Sequence, residues 1–495
     1  MTEEHGESSS PGLSRPRRLL VLGICSMSLL IVGLDITIVN VALPSIHRSL
    51  GASVSGLQWT IDAYSLVIAT LLMFSGSMAD RLGRRRVFQT GLVVFSLGSL
   101  LCALAPNLQL LVAFRVVQAV GGSMLNPVAM SIIRNVFTDP RERAQAIGFW
   151  GAMVGISMAL GPVVGGFLVD ISGWPAVFLV NVPIGLLALA LTALFVPESR
   201  APKPRRIDPF GQVLVAGALG SLTYTIIEGP QAGWTSPEIV GLFTFSLACF
   251  VLLVWYELRR YQPLLEVRFF RSAPFSGASA IAVCAFAIQG GFLFLNTIYL
   301  QDVRGLPPLD AGLYLLPMAA MTFLTAPISG MLVGRGHGRP TMIVSAMALI
   351  VASVMLTVLS PSTSEAYLLG AYVLFGVGIG LVNPPITNTA VSGMPSSQAG
   401  VAAAVASTSR QVGATLGVAV MGSVAGGMVA GSLGVGFAAA THPAWWISAG
   451  LSVIILVLAV ATTGEWARRT ARQTAERLGS GQERRLAQPE LAAGA

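Results

Sequence analysis

Apolar residues in this chain do not alternate with polar ones. They come in long runs broken by short polar turns. About 20 consecutive apolar residues form a helix long enough to cross the hydrocarbon of a bilayer. Fourteen runs of that order are read, centred near residues 30, 68, 96, 121, 157, 186, 219, 247, 287, 322, 350, 379, 417 and 454, with those near 219 and 379 the weakest. In lipid only helices and closed barrels satisfy their own backbone, and runs of this length predict helices. The expected fold is an all-α polytopic membrane protein with 14 transmembrane helices.

Composition agrees: 54% of residues are apolar and 11% charged, against about a quarter charged in soluble domains. The net charge of +8 suggests nucleic acid until the charges are placed. With an even number of spans both termini share one side, which collects 26 of the 30 Lys and Arg residues. The other side carries Arg48 and Arg304, and Arg115 and Arg410 fall inside spans. The positive-inside rule makes the basic side cytoplasmic. A multi-pass protein of the cell membrane with both termini in the cytoplasm is expected, with the lipid bilayer and no nucleic acid as its surroundings.

The layout reads as six, two and six spans. Residues 1–18 are a polar, disordered cytoplasmic tail, 19–199 a six-helix bundle, and 200–271 two extra helices with basic linkers that include Lys203, Arg205 and Arg206. Residues 272–465 form a second six-helix bundle and 466–495 a cytoplasmic C-terminal tail. Gly76-Ser-Met-Ala-Asp80-Arg81-Leu-Gly83-Arg84 follows the second span, and Gly330-Met-Leu-Val-Gly334-Arg335-Gly336-His-Gly-Arg339 follows the tenth, the second of the last six. Weak repeats at corresponding positions of two halves are what a duplicated transporter shows.

Ionisable residues within a membrane are costly and mark function by default. Asp35 in the first span and Arg115 in the fourth are placed at nearly the same depth, about 12 Å from the far end of their runs at 1.5 Å per residue. Asp62 in the second is placed about 8 Å deep by the same measure. A structural Asp35–Arg115 salt bridge is the plain alternative for the first pair. For Asp62 it is a place at the water interface, where the acid tunes substrate charge. No acid lies deep in the last six spans. Their polarity comes from Gln289, Asn296, Asn383, Asn388, Arg410 and Gln411, beside Phe286 and Phe292. With Trp59, Tyr64, Gln118, Phe149 and Trp150 these are the candidates for lining a substrate cavity. Aromatic faces attract organic cations, although helix–helix hydrogen bonding explains any single polar residue equally well.

Other function classes lack their signatures. His5, His47, His337 and His442 all fall outside spans, there is no HExxH, and Pro follows the only Lys, Lys203, so no Walker A exists. The four Cys fall in apolar runs, and neither a disulfide nor a metal site is expected. A channel would show filter loops or charge rings. A membrane enzyme or an importer is therefore less favoured, and no cofactor is expected.

Several strings together resemble the fourteen-span drug:proton antiporters of the major facilitator superfamily. Leu34-Asp35-Ile-Thr37-Ile-Val-Asn40-Val-Ala42-Leu43-Pro44 is similar to that family's first-span signature, and Arg115-Val-Val-Gln118 to its fourth-span motif. Asn181-Val-Pro183-Ile-Gly185 fits the sixth span, and Arg410-Gln411-Val-Gly413 the thirteenth. Gly155, Gly161, Pro162, Gly165 and Gly166 resemble the antiporter motif. Ala119 stands where the fourth-span motif usually has Gly, and Pro175 where Arg is common. The resemblance implies a major facilitator fold of two six-helix bundles plus two extra helices. It implies proton coupling through Asp35, Asp62 and Arg115. It also implies a cytoplasmic latch of Gly76, Asp80, Arg81, Gly83, Arg84 and Arg85, and a fifth helix that packs on the other half. The implied activity is proton-driven export of small lipophilic, cationic drugs by a monomer, with a dedicated exporter of a self-made antibiotic as the alternative.

Overall fold

The computed structural model describes residues 14–201, 207–260, 264–392, 394, 398–428 and 435–492. Residues 1–13 of the expected tail and Lys203, Arg205 and Arg206 of the expected linker lie outside the described residues. The long helices are α1 (Arg15–Leu50), α2 (Val54–Leu82), α3 (Arg84–Ala103), α4 (Leu108–Val136), α5 (Pro140–Ser172), α6 (Ala176–Phe195), α7 (Pro209–Ala232) and α8 (Pro237–Arg259). They continue as α9 (Ala273–Val303), α10 (Pro308–Gly334), α11 (Gly338–Leu356), α12 (Glu365–Val391), α13 (Ala399–Gly426), α14 (Val435–Ala461) and α15 (Glu465–Ala492). No strand occurs among the described residues.

Thirteen of these helices are long and apolar enough to cross a membrane. The fourteenth span is α13, whose apolar run is diluted by Ser407, Thr408, Ser409, Arg410 and Gln411. Helix ends are set by short polar side chains. Ser53, Asn107, Asp139, Asp208 and Ser236 each accept a hydrogen bond from a first-turn N–H of the helix that follows, satisfying donors that the helix itself cannot. The helices outrun their apolar stretches. The 36-residue α1 already includes Arg15 to Arg18 of the expected tail and continues through Pro44 to a left-handed Gly51, φ 62°.

In the first bundle α1 packs on α4, α5 and α6, α2 on α4, and α3 on α4 and α6. In the second, α9 packs on α12, α13 and α14, α10 on α12, and α11 on α12 and α14. Two long seams join the bundles, α2 with α13 and α5 with α10, and α1 touches α9 between them. The extra pair α7–α8 attaches through α7, which lies against both α2 and α13.

Seam contacts run from mid-height to the face opposite the N terminus. Gln58 donates to the carbonyls of Val418 and Ala419, Gln301 to that of Val41, and Arg48 pairs with Asp302 at 3.0 Å. Toward the basic face, ion pairs stay within one bundle: Arg18 with Glu142 and Arg84 with Asp80. Among the described residues, the polar contacts that join the two bundles thus lie from mid-height to the far face.

Candidate functional site

The polar centre of the first bundle is Asp35, fully buried on α1. Arg115 Nη1 donates to its Oδ2 at 2.5 Å, while Gln118 Nε2 and Asn181 Nδ2 donate to its Oδ1 at 2.7 and 2.9 Å. Arg115 and Gln118 are three residues apart on α4, so one helix face presents both. The guanidinium is fixed further by Nε donating to the Thr60 carbonyl at 3.0 Å, by Gln118 Oε1 at 2.7 Å and by the Tyr64 ring 4.1 Å away. Gln118 also donates to Ser99 Oγ of α3 at 2.7 Å. That reach depends on Gly98, where a Cβ would stand 2.5 Å from the Gln118 Cα. A buried ion pair repays its lost hydration only when its remaining donors and acceptors are met. Here five helices of one bundle meet them.

Asp62 has the opposite surroundings. It is fully buried, and neither carboxyl oxygen has a partner. Its expected place at the water interface is therefore corrected: eight residues into α2, it is enclosed beside the α2–α13 seam. Gln58, one turn toward the far face, makes the bonds that shut this seam. On α13 the Thr415 hydroxyl, one turn from Ala419 toward the basic face, is likewise buried and unpartnered. The depth estimated for Asp35 also changes. The polar turn His47–Leu50 continues α1, which leaves Asp35 near its middle.

The small residues of α5 divide between two neighbours. A Cβ on Gly161 would meet Thr37 Cβ at 2.6 Å, and one on Gly165 would meet Ile38 Cγ1 at 2.7 Å, so these two glycines let α1 approach. A Cβ on Gly166 would stand 2.5 Å from the Leu309 Cα and the Pro308 carbonyl. Gly155 faces Phe323 at 3.0 Å, and a Cβ on Gly312 would meet the Pro162 carbonyl carbon at 2.7 Å. Gly155, Pro162 and Gly166 thus serve the seam with α10, the packing on the other half that the resemblance implies for the fifth helix, while Gly161 and Gly165 serve α1.

At the basic face Asp80 pairs with Arg84 at 3.1 Å, and its carbonyl accepts from Ala201 N. Glu198 accepts from the Arg85 and Arg86 backbone N–H groups, and Arg85 Nη2 reaches the Ala193 carbonyl. Gly83, φ 112°, is required twice: by its backbone and because a Cβ would meet Glu198 at 2.7 Å. Gly336, φ 87°, turns the chain at the matching place after α10. A Cβ on Gly76 would have only Pro127 nearby, at 3.9 Å. These contacts tie the motif to the end of α6 in its own bundle.

The cavity candidates scatter. Tyr64 and Gln118 belong to the Asp35 cluster. Trp59 faces α7, donating to Glu228 at 2.8 Å. Phe292 and Asn296 are fully buried inside the second bundle, Phe292 stacked on Phe375 and Asn296 accepting from Tyr372 at 2.7 Å. Tyr64, Gln118, Phe292 and Asn296 are thus core residues, whereas Trp59 is half-buried. Trp150, Phe286, Asn383, Arg410 and Gln411 are half-buried, Phe149 and Asn388 exposed. Gln289, nearly buried, points its Nε2 across the interface to Met158 Sδ at 3.5 Å. Asn181, Ser99 and Gln58 were not singled out as site residues. A polar side chain inside an apolar run was the available signal.

Residues 25–418 match the family model of the Major Facilitator Superfamily. The chain is 39% identical over 408 residues to the multidrug resistance protein Stp of Mycobacterium tuberculosis (strain CDC 1551 / Oshkosh), covering 82% of this chain and 76% of that one. It is 36% identical over 431 residues to the tetracenomycin C resistance and export protein of Streptomyces glaucescens, covering 85% and 79%. Its fold matches an inward-facing, unoccupied bacterial homolog of the human lysosomal transporter Spinster, with a TM-score of 0.64 at 18% identity over 94% of this chain and 99% of that one. Two six-helix bundles meeting along α2–α13 and α5–α10, with two further helices beside them, are thus those of a membrane transporter, and the chain belongs to the major facilitator superfamily.

Proposed function

We propose that the protein is a proton-coupled antiporter that expels small lipophilic drugs, organic cations among them, from the cytoplasm. In this reading it sits in the cell membrane with both termini cytoplasmic, works as a monomer and needs no cofactor. The observation that carries the reading is the pair of enclosed carboxyl groups on adjacent helices, Asp35 with three donors and Asp62 with none.

Burying a carboxyl group without a donor or cation costs several kcal/mol, so in this reading the opening and shutting of the α2–α13 seam over Asp62 is tied to the exchange of its proton. Asp35 is held in its present bonds by Arg115 of α4 and Asn181 of α6. Rocking that draws Arg115 away frees it to take a proton, and its return expels that proton. Drug entering from the basic face and protons from the far face then compete through the same first bundle.

Everted membrane vesicles test this. Energised vesicles should concentrate ethidium, a protonophore should abolish the uptake, and Asp35→Asn should lack it at equal protein level. Uptake indifferent to the protonophore would overturn the antiport reading. A narrower reading, export of one self-made antibiotic, is supported by the likeness to a tetracenomycin C exporter. Transport of a single compound from a broad panel would favour it.

A further inference from the structure

Both arginines inside the spans are largely enclosed, yet only Arg115 has an acid. Arg410, on α13 about 17 Å from its basic end at 1.5 Å per residue, donates to Thr387 Oγ1 at 3.2 Å and to Ser407 Oγ at 3.5 Å. The Phe286 ring lies 5.9 Å from its guanidinium carbon. All these partners are neutral. No carboxylate among the described residues forms an ion pair with it. A guanidinium presents five donors in a planar fork suited to a carboxylate, and an uncompensated cation within a membrane is expensive.

The rest of the protein cannot supply the missing anion by rocking. Asp35 is already engaged, and Asp62 is enclosed at the far-face seam. Asp80 and Glu142 are paired near the basic surface, and the second bundle has no acid deep in its spans. Arg410 is half-buried and bonds Thr387 of the neighbouring α12 from the half of α13 that runs toward the basic face.

We propose that Arg410, with Thr387 and Ser407, forms a subsite that receives the acidic group of an exported molecule, so that the transporter takes lipophilic carboxylic acids and amphoteric compounds as well as cations. This rests on the export reading above and adds a substrate class to it. The first bundle holds the carboxyl groups that exchange protons, and the second offers the counter-charge to an acid.

The test uses the full-length protein in uncharged detergent and chloride-free gluconate buffer. Binding is measured by tryptophan quenching for three matched pairs of lipophilic aryl carboxylic acids and their methyl esters, with ethidium as a cation. Each acid should bind at least tenfold tighter than its ester. Arg410→Gln should erase that preference while changing ester and ethidium binding by less than twofold. Arg410→Lys should keep part of the preference, and Thr387→Val should reduce it severalfold, so the outcome does not hang on one variant's folding.

Wild-type protein with no acid preference, or Arg410→Gln lowering all probes alike, would overturn the subsite. So would loss of the preference in physiological chloride or with phosphatidylglycerol added, which would give the guanidinium to an inorganic anion or a lipid headgroup. Acid preference that persists while vesicle efflux ignores a protonophore would sink the antiport reading alone and leave the subsite standing.

Discussion

Asp35 and Asp62 lie on adjacent helices of one bundle, both fully buried, and differ in everything around them. Three side chains donate to Asp35, and one of them is a cation itself held by the Thr60 carbonyl, Gln118 Oε1 and the Tyr64 ring. Asp62 has no partner and sits against a seam between bundles. Burial alone therefore says little about what an acid does in a membrane. An acid fixed inside a rigid cluster responds to movement of its partners. An acid enclosed at a moving interface responds to the opening of the interface itself.

The largest effects come from breaking the first environment. Asp35→Asn should lower proton-driven efflux at least a hundredfold. It also leaves Arg115 without its counter-charge, a loss of about 3 kcal/mol by analogy with broken buried pairs. Thermal unfolding in detergent should show that drop. The double variant Asp35→Asn with Arg115→Gln should recover most of the stability and none of the efflux. Recovered efflux in the double variant would reduce the pair to a structural bridge.

Asp62→Asn should behave in the reverse way. Nothing pairs with Asp62, so unfolding should shift by less than about 1 kcal/mol, the scale of a typical intramolecular hydrogen bond. Efflux should nevertheless fall about tenfold, equally for neutral, monovalent and divalent substrates in a vesicle assay. A loss confined to divalent cations would make Asp62 a reader of substrate charge and remove it from coupling.

The two faces of α5 give the next comparison. A side chain on Gly166 meets backbone of the second bundle, whereas one on Gly161 meets Thr37, two residues from Asp35. Gly166→Leu should hold the α5–α10 seam apart and raise proton leak severalfold in proteoliposomes, whatever the drug. Gly161→Leu should leave that seam shut and weaken coupling through α1. Equal leak from both variants would erase the distinction, and a changed drug preference without leak would make these residues part of the pocket.

How much of this was legible in the sequence follows from what each signal encodes. Run length announced the spans, the one near 417 included although Ser, Thr, Arg and Gln residues dilute it. Asp35 and Arg115 stood out because charge is rare in apolar runs. Asn181 and Ser99 did not, since a single amide or hydroxyl in a membrane helix is ordinary. Core and cavity were confused for Phe292, Asn296, Tyr64 and Gln118. A helix apolar on every side carries no periodic mark of which face meets a neighbour and which a cavity. Helix ends were misjudged where polar turns such as His47–Leu50 continue a helix beyond the hydrocarbon.

The smallest effect concerns the extra helix α7 and the seam it touches. Gln58 of α2 reaches Ser423 Oγ of α13 at 3.3 Å, and that hydroxyl donates to the Ile226 carbonyl of α7 at 2.7 Å. Trp59 and Ser55 of α2 also bond Glu228 and Gln231 of α7. The α7 helix therefore grips both bundles where the far face is shut, and opening that face must release Ser423 from one side or the other. An interhelical hydrogen bond in a membrane averages about 0.6 kcal/mol, so Ser423→Ala should shift the closed-to-open ratio about threefold toward open. The shift can be read from the labelling rate of a cysteine placed at Val54, which the seam covers through Gly426. An unchanged rate would mean that α7 follows one bundle without restraining the other. A rise well beyond threefold would make this hydroxyl a principal clasp of the far face, on a par with the two carbonyl bonds of Gln58.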